Sequence, residues 1–318
     1  LGAVPRLKCA VFPERHMGLV PPQEHNAACQ AVVTAQNLVE KYLDHERLWE
    51  IAQAAPPLPE TSYQPAYAVQ TSAEPVRLGI IRDGAFQFYY PENLEALSSS
   101  GARLIEINAL SDAALPALDG LYIGGGFPET NAAALAANVS FRQSLKHAIE
   151  NGLPVYAECG GLMYLGENII MREQSHPMVG ALPFSVLLEK KPQGHGYTVL
   201  TVDRPNPYFP LGTKLQGHEF HYSRVIESDL EKLNLVFQVE RGHGVTGHRD
   251  GVCYKNVLAT YTHTHALATP TWAQALVEQA REYRRLCQPQ MSDPKDERTL
   301  EAFSKSLFFC HPECSEGS

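Results

Sequence analysis

No stretch of this 318-residue chain approaches the ~18 uninterrupted apolar residues of a membrane-spanning helix. Residues 1–8 also lack the layout of a signal peptide. No membrane association is expected, and the cytoplasm is the expected location. A Lys/Arg block is missing too. With 26 basic against 35 acidic residues and a formal net charge of -9, the chain offers no cationic face for phosphate backbones, which argues against a general nucleic-acid binder. Cysteine is sparse: seven, at 9, 29, 159, 253, 287, 310 and 314, an odd and scattered set unlike a secreted disulfide framework. Only Cys310 and Cys314 lie close together, and with no second pair of ligands nearby no metal site is expected. A nucleoside-triphosphate loop is absent as well, because no Gly-Lys-Ser/Thr follows any glycine cluster.

What is present suits a globular protein of about two domains, with 44% hydrophobic and 19% charged residues. Residues 1–55 read as a strand at 1–5, a Pro/Gly-bearing loop and a helical pattern over 24–54. One strand and one helix cannot bury themselves, so this opening is expected to be the remnant of a larger domain. Residues 56–75, with Pro56, Pro57, Pro59, Pro65 and Pro75, have linker composition. From 76 to 287 short apolar runs at 77–81, 103–107, 120–123 and 153–157 alternate with helical patterns at 91–100, 141–151 and 161–167. That alternation predicts an α/β domain with a doubly wound parallel sheet, whose sites gather at the carboxyl ends of the strands. Beyond 180 come shorter strands with Gly/Pro turns, then a strand at 257–261 and a helix at 271–287. Residues 288–318 are polar and aperiodic and are expected to be a disordered tail.

Four clusters carry chemistry. In Ala157-Glu158-Cys159-Gly160-Gly161 an apolar strand passes through one Cys and two Gly into a helix, the layout of a nucleophile elbow. A thiol at a helix N-terminus is favoured as thiolate. The triple glycine Gly124-Gly125-Gly126, straight after a strand, frees backbone N–H groups to face a phosphate or an oxyanion; with Gly160 it makes a candidate oxyanion hole for Cys159. In Thr262-His263-Thr264-His265 two histidines end a strand, and either could serve as the base that a thiol hydrolase needs. Strand alternation would turn both to one face, and the sequence alone does not rank them. In Gly217-His218-Glu219-Phe220-His221 the spacing misses the zincin pattern, and along a strand His218 and His221 face opposite ways. Contact with substrate or a hydrogen-bonded structural role suits His218, Glu219 and His221 better than a metal.

Taken together with Pro13-Glu14-Arg15-His16 and the aromatic block from Phe86 to Tyr90, these runs resemble the cobyrinate a,c-diamide synthase family, the cobalamin-type glutamine amidotransferases. The resemblance spans residues 1 to about 280. It implies a class I glutamine amidotransferase-like domain at 76–287, preceded at 1–55 by the end of a P-loop synthetase domain. It also implies glutamine as ammonia donor, a tetrapyrrole carboxylate as acceptor, and ATP with Mg2+ used by a synthetase domain that would precede Leu1 or come from a separate chain. By this resemblance the nucleophile falls on Cys159 and the assisting base on His263, with His265 where other class I glutaminases carry Glu. Phe86, Tyr89 and Tyr90 are candidates for substrate or interdomain contact. Sirohaem and nickel sirohydrochlorin are alternative acceptors. A cysteine peptidase or a non-catalytic tetrapyrrole-binding module would be readings of another class.

Overall fold

The structure, a computed structural model, describes residues 1–7, 28–57, 74–226 and 233–287. The run at 13–16, most of the linker at 56–75, the tail at 288–318, Cys9, Cys310 and Cys314 lie outside the described residues.

Two helices, α1 (Ala28–Tyr42) and α2 (His45–Gln53), stand where the sequence pattern suggests one. The break falls at Leu43-Asp44 because the Asp44 carboxylate accepts the Arg47 N–H at 2.9 Å, a cap that starts a new helix. Residues 1–5 do not form the expected strand; Gly2 makes an isolated antiparallel bridge to Leu43. Of the described residues in this segment only Ala31 is buried, and Val32, Trp49 and Ile51 stay exposed.

The remaining elements follow in order. β1 (Val76–Ile81), β2 (Phe86–Phe88), α3 (Pro91–Ser99), β3 (Ala102–Ile107), β4 (Gly120–Ile123) and β5 (Gly125–Gly126) come first. Then come α4 (Ala132–Ala137), α5 (Val139–Glu150), β6 (Val155–Glu158), α6 (Gly160–Leu165), β7 (Asn168–Met171), β8 (Gln174–Pro177) and β9 (Ser185–Leu188). β10 (Gly194–Val202), β11 (Lys214–His221), β12 (Ser223–Ile226), β13 (Leu235–Arg241), β14 (Arg249–Tyr254), β15 (Val257–Thr260), β16 (His263–Thr264) and α7 (Thr271–Cys287) complete the chain.

Five strands, in the order β3-β1-β4-β6-β15, run parallel, as helical crossovers require. The sheet does not stay parallel, however. It continues through β14, β13, β10, β11 and β16, all antiparallel, so the doubly wound sheet expected from the sequence is the first half of a ten-stranded mixed sheet. Hairpin pairing of distant runs leaves no local trace in the sequence, which is why this half reads only as short strands. β15 and β16 are two residues apart in the chain, yet four strands lie between them in the sheet. The sheet therefore curls until its last strand returns beside the first half. A four-stranded sheet of β12, β9, β7 and β8 and the pair β2–β5 are additional.

Alternation divides the core between two faces. Leu121, Ile123, Val155 and Ala157 point to the side covered by Phe141, Leu145 and Ile149 of α5. Tyr122 and Tyr156 point to the side covered by Trp272, Leu276 and Val277 of α7. Each fully buried Val, Leu, Ile or Phe among them contributes about 1.5–3 kcal/mol of apolar burial. The turn from β15 to β16 is held from inside by Asp250, which is fully buried. Its carboxylate accepts the Thr260 hydroxyl at 2.7 Å, the Tyr261 N–H at 3.1 Å and the Thr262 hydroxyl at 3.2 Å.

Candidate active site

β6 carries its four residues fully into the core and is followed by Cys159, whose positive φ of 47°, with ψ of -98°, puts a side-chain-bearing residue in a conformation that favours glycine. Such a conformation costs about 1–3 kcal/mol and persists only where the surroundings impose it. Here the Cys159 N–H donates to the Thr260 carbonyl at 2.8 Å, and the Cys159 carbonyl accepts the first bond of α6, from Met163, at 3.0 Å. The sulfur is thereby raised into a cavity of about 370 Å³, a volume suited to one small ligand. Space beside Gly160 is tight: a Cβ there would stand 3.0 Å from Pro128 Cδ and 3.1 Å from Gly126 N, so a larger residue would push its neighbours. The Gly126 and Gly160 backbones are thus close neighbours, and Gly126 lines the cavity with Cys159.

Gly124 does not join them. Its N–H donates to the Tyr89 hydroxyl at 2.9 Å, and that hydroxyl donates to the Ile81 carbonyl, so the first glycine of the three is spent on a structural bond and is withdrawn as an oxyanion donor. Gly125 serves through its missing side chain: a Cβ there would collide with His263 Cε1.

His263 faces the cavity from β16, which pairs with β11 so that His263 lies directly opposite His218. The two rings stack with centroids 4.8 Å apart and planes 15° apart. Burial by itself would lower the His263 pKa, but hydrogen bonding and charge from Cys159 and Glu158 outweigh it and raise the ring to about 10. His263 is therefore an imidazolium at neutral pH. Its stacking partner goes the other way: burial, together with the charge on His263, pushes His218 down to about 4, so that ring is neutral. The Tyr90 hydroxyl lies 3.3 Å from His218 Nδ1 and holds this second ring at the cavity wall.

His265 does not share the face of His263. β16 ends at Thr264, and alternation ends with it. The His265 ring packs against Tyr90 at 4.5 Å, its Nε2 lies 3.7 Å from Glu92, and it does not line the cavity. Phe86, Glu219 and His221 are likewise placed elsewhere. Phe86 is a core residue packed on Tyr164 at 5.3 Å. Glu219 is buried against a turn at 243–244, accepting the His243 N–H at 2.6 Å and the Gly244 N–H at 3.0 Å. His221 stacks on Tyr261 at 3.7 Å. Tyr89, Tyr90 and His218 do reach the cavity, joined by Gln87, Phe88 and Phe220. As strand alternation requires, His218 and His221 lie on opposite faces of β11.

Glu158 is the residue that motif reading passed over. It is 1% exposed and lines the same cavity, with Oε2 3.6 Å from His263 Nδ1. The available signal was a lone carboxylate at the end of an otherwise apolar run. Asn93 was missed as well: from α3 its side-chain amide donates to the Thr264 carbonyl at 2.8 Å and accepts the Ala266 N–H at 2.7 Å, clamping the strand that carries His263. Among the described residues no group of three or more metal-ligating side chains converges.

The family model of the CobB/CobQ-like glutamine amidotransferase domain matches residues 77–271. The chain is 40% identical over 292 residues to the cobyrinate a,c-diamide synthase of Magnetococcus marinus, covering 91% of this chain and 62% of that protein. It is 41% identical over 280 residues to the protein of the same name from Archaeoglobus fulgidus, covering 88% and 60%. The chain thus spans about three-fifths of the length of the curated relatives it matches. Among solved structures, PurLQS from Thermotoga maritima aligns with a TM-score of 0.48 at 17% identity, over 68% of this chain and 100% of that chain.

Proposed function

The chain belongs to the CobB/CobQ-like glutamine amidotransferase family, and on that premise we propose that it releases ammonia from glutamine at Cys159 for the amidation of tetrapyrrole acetate side chains. The observation that carries the reading is the convergence of a strained, cavity-facing thiol and a buried imidazolium.

The chemistry balances with these groups. The Cys159 thiolate adds to the amide carbon of glutamine, and the carbonyl electron pair moves onto oxygen, with the backbone N–H groups of Gly126 and Gly160 as the donors assigned to it. The C–N bond breaks as the His263 ring gives its proton to the leaving nitrogen, so ammonia departs and a thioester remains. Water then adds to the thioester carbon, returns a proton to His263, and the C–S bond breaks. Glutamine and water become glutamate and ammonia.

Gly125 supplies a check on this geometry. Gly125→Ala is expected to displace the His263 ring and cut glutamine hydrolysis about a hundredfold, the scale of a 1 Å misplacement, with an unchanged far-ultraviolet circular dichroism spectrum. Activity within a factor of two of the parent would contradict the placement of His263.

Activation of the acceptor carboxylate by ATP and Mg2+ is assigned to a synthetase part outside this chain. The cavity at Cys159 does not fit a triphosphate: Gly124 N–H is already bonded, and no Lys or Arg is among the lining residues. Cobyrinate is the acceptor we favour, because the matched relatives carry that name. The test supplies amide-labelled glutamine, ATP, Mg2+ and cobyrinate to this chain together with the synthetase part. Labelled nitrogen is expected in the a and c amides. Transfer to sirohaem or nickel sirohydrochlorin alone would overturn the choice of acceptor, and no glutamate release would overturn the reading itself.

A further inference from the structure

We propose that Glu158, the residue immediately before the nucleophile, is the carboxylate that orients and charges His263 and so takes the third place beside Cys159 and His263. The inference rests on the reading of Cys159 and His263 given above and adds a residue to it.

Burying a carboxylate costs several kcal/mol unless a cation and hydrogen bonds compensate it. Glu158 is 1% exposed, and among the described residues its ion-pair contact is with His263, at 3.6 Å between Oε2 and Nδ1. The approach is to Nδ1, the ring nitrogen that an orienting carboxylate must hold if the other nitrogen is to serve the sulfur. At 3.6 Å it is a charge contact and not a short hydrogen bond.

The carboxylate is also locked. Oε1 accepts the N–H of Thr264, the residue after His263, at 3.0 Å, and Oε2 accepts the hydroxyl of the fully buried Tyr122 at 3.0 Å. Asn93 approaches the same Tyr122 hydroxyl at 3.4 Å and bonds the Thr264 carbonyl, so β4, β6, α3 and β16 meet at one network. Because Glu158 and Cys159 are adjacent and Thr264 follows His263, one carboxylate fixes both the elbow and the strand that carries the base.

The other acids nearby are committed elsewhere. Glu92 lies at the surface beside His265, Glu219 holds the 243–244 turn, and Asp250 holds 260–262. The titratable groups around the His263 ring are then Cys159 from the elbow, Glu158 from β6, neutral His218 stacked from β11, and the hydroxyls of Tyr122, Tyr89 and Tyr90. Of these, Glu158 supplies the carboxylate that contacts the His263 ring, at Nδ1. Glu158 acts through His263 and not on substrate, so it is a positioning residue.

The test is Glu158→Gln in the intact protein, read by glutamine kinetics and by the pH titration of the His263 ring in nuclear magnetic resonance. Gln keeps an oxygen for the Thr264 N–H and removes the charge. We expect kcat to fall about a hundredfold with KM changed less than about threefold, and His263 to titrate about one pH unit or more lower. Parental kcat and titration overturn the proposal. Should Gln not be tolerated at this buried position, Glu158→Asp decides: its shorter reach is expected to lower both quantities, and full retention of both overturns the proposal. Cys159→Ala run in parallel separates the two claims. Persistent hydrolysis in that variant would sink the glutaminase reading, whereas its loss beside an unaffected Glu158→Gln would sink the role of Glu158 alone.

Discussion

Cys159→Ala is expected to lower glutamine hydrolysis by at least about ten-thousand-fold, the scale on which removal of a covalent nucleophile acts, while leaving the fold intact. The fold survives because the strain at Cys159 belongs to its backbone, which Ala also accepts, and because the bonds that impose it run through the Cys159 N–H and carbonyl. The side chain itself is 7% exposed and makes a small apolar contribution to the core. Loss of activity without loss of stability therefore reports chemistry.

His263→Asn is expected to cost about a hundredfold to ten-thousandfold in kcat, the range for a general acid–base group. The expected pH dependence follows from the sign of the shift. His263 is raised from 6.5 to about 10, by Cys159 and Glu158 against the opposing effect of burial. The proton needed by the leaving amine is thus in place through the neutral range and is lost as pH rises through about 10. The parent protein should show an alkaline limb there, and His263→Asn should lack it. The same shift makes the charged ring a contribution to stability that is fully present below 6.5 and fades toward 10. An alkaline limb near 7 in the parent would show that the ring is not held as imidazolium.

Local patterns made much of this legible. The switch from an apolar run to Cys-Gly-Gly marks both the elbow and the start of α6, and the helical pattern at 271–287 is α7. Features resting on partners far along the chain were not legible. The pairing of β16 with β11, which sets His218 on His263, joins runs that carry no mutual signal. His265 was assigned to the face of His263 by an alternation that needs a longer strand than two residues. Gly124 was read as a donor because glycine clusters free their N–H groups, and the phenol that occupies it, Tyr89, is distant in sequence. Glu158 stood inside the motif, yet its meaning lay in Tyr122, His263 and Thr264. The break at Asp44 was readable as a helix cap and was passed over for the longer apolar pattern.

The α/β fold thus places Cys159 and His263, from the two halves of one sheet, at a single cavity. The most direct measurement is covalent labelling by a glutamine-mimicking diazoketone, followed by peptide mass spectrometry. Cys29 and Cys287 are exposed thiols, and Cys253 is pushed up to about 11 by burial, so the chain carries its own controls. The predicted result is one adduct per chain, on Cys159, suppressed by excess glutamine. Adducts on Cys29 and Cys287 with Cys159 unmodified would contradict the assignment of Cys159 as the glutamine-cleaving nucleophile.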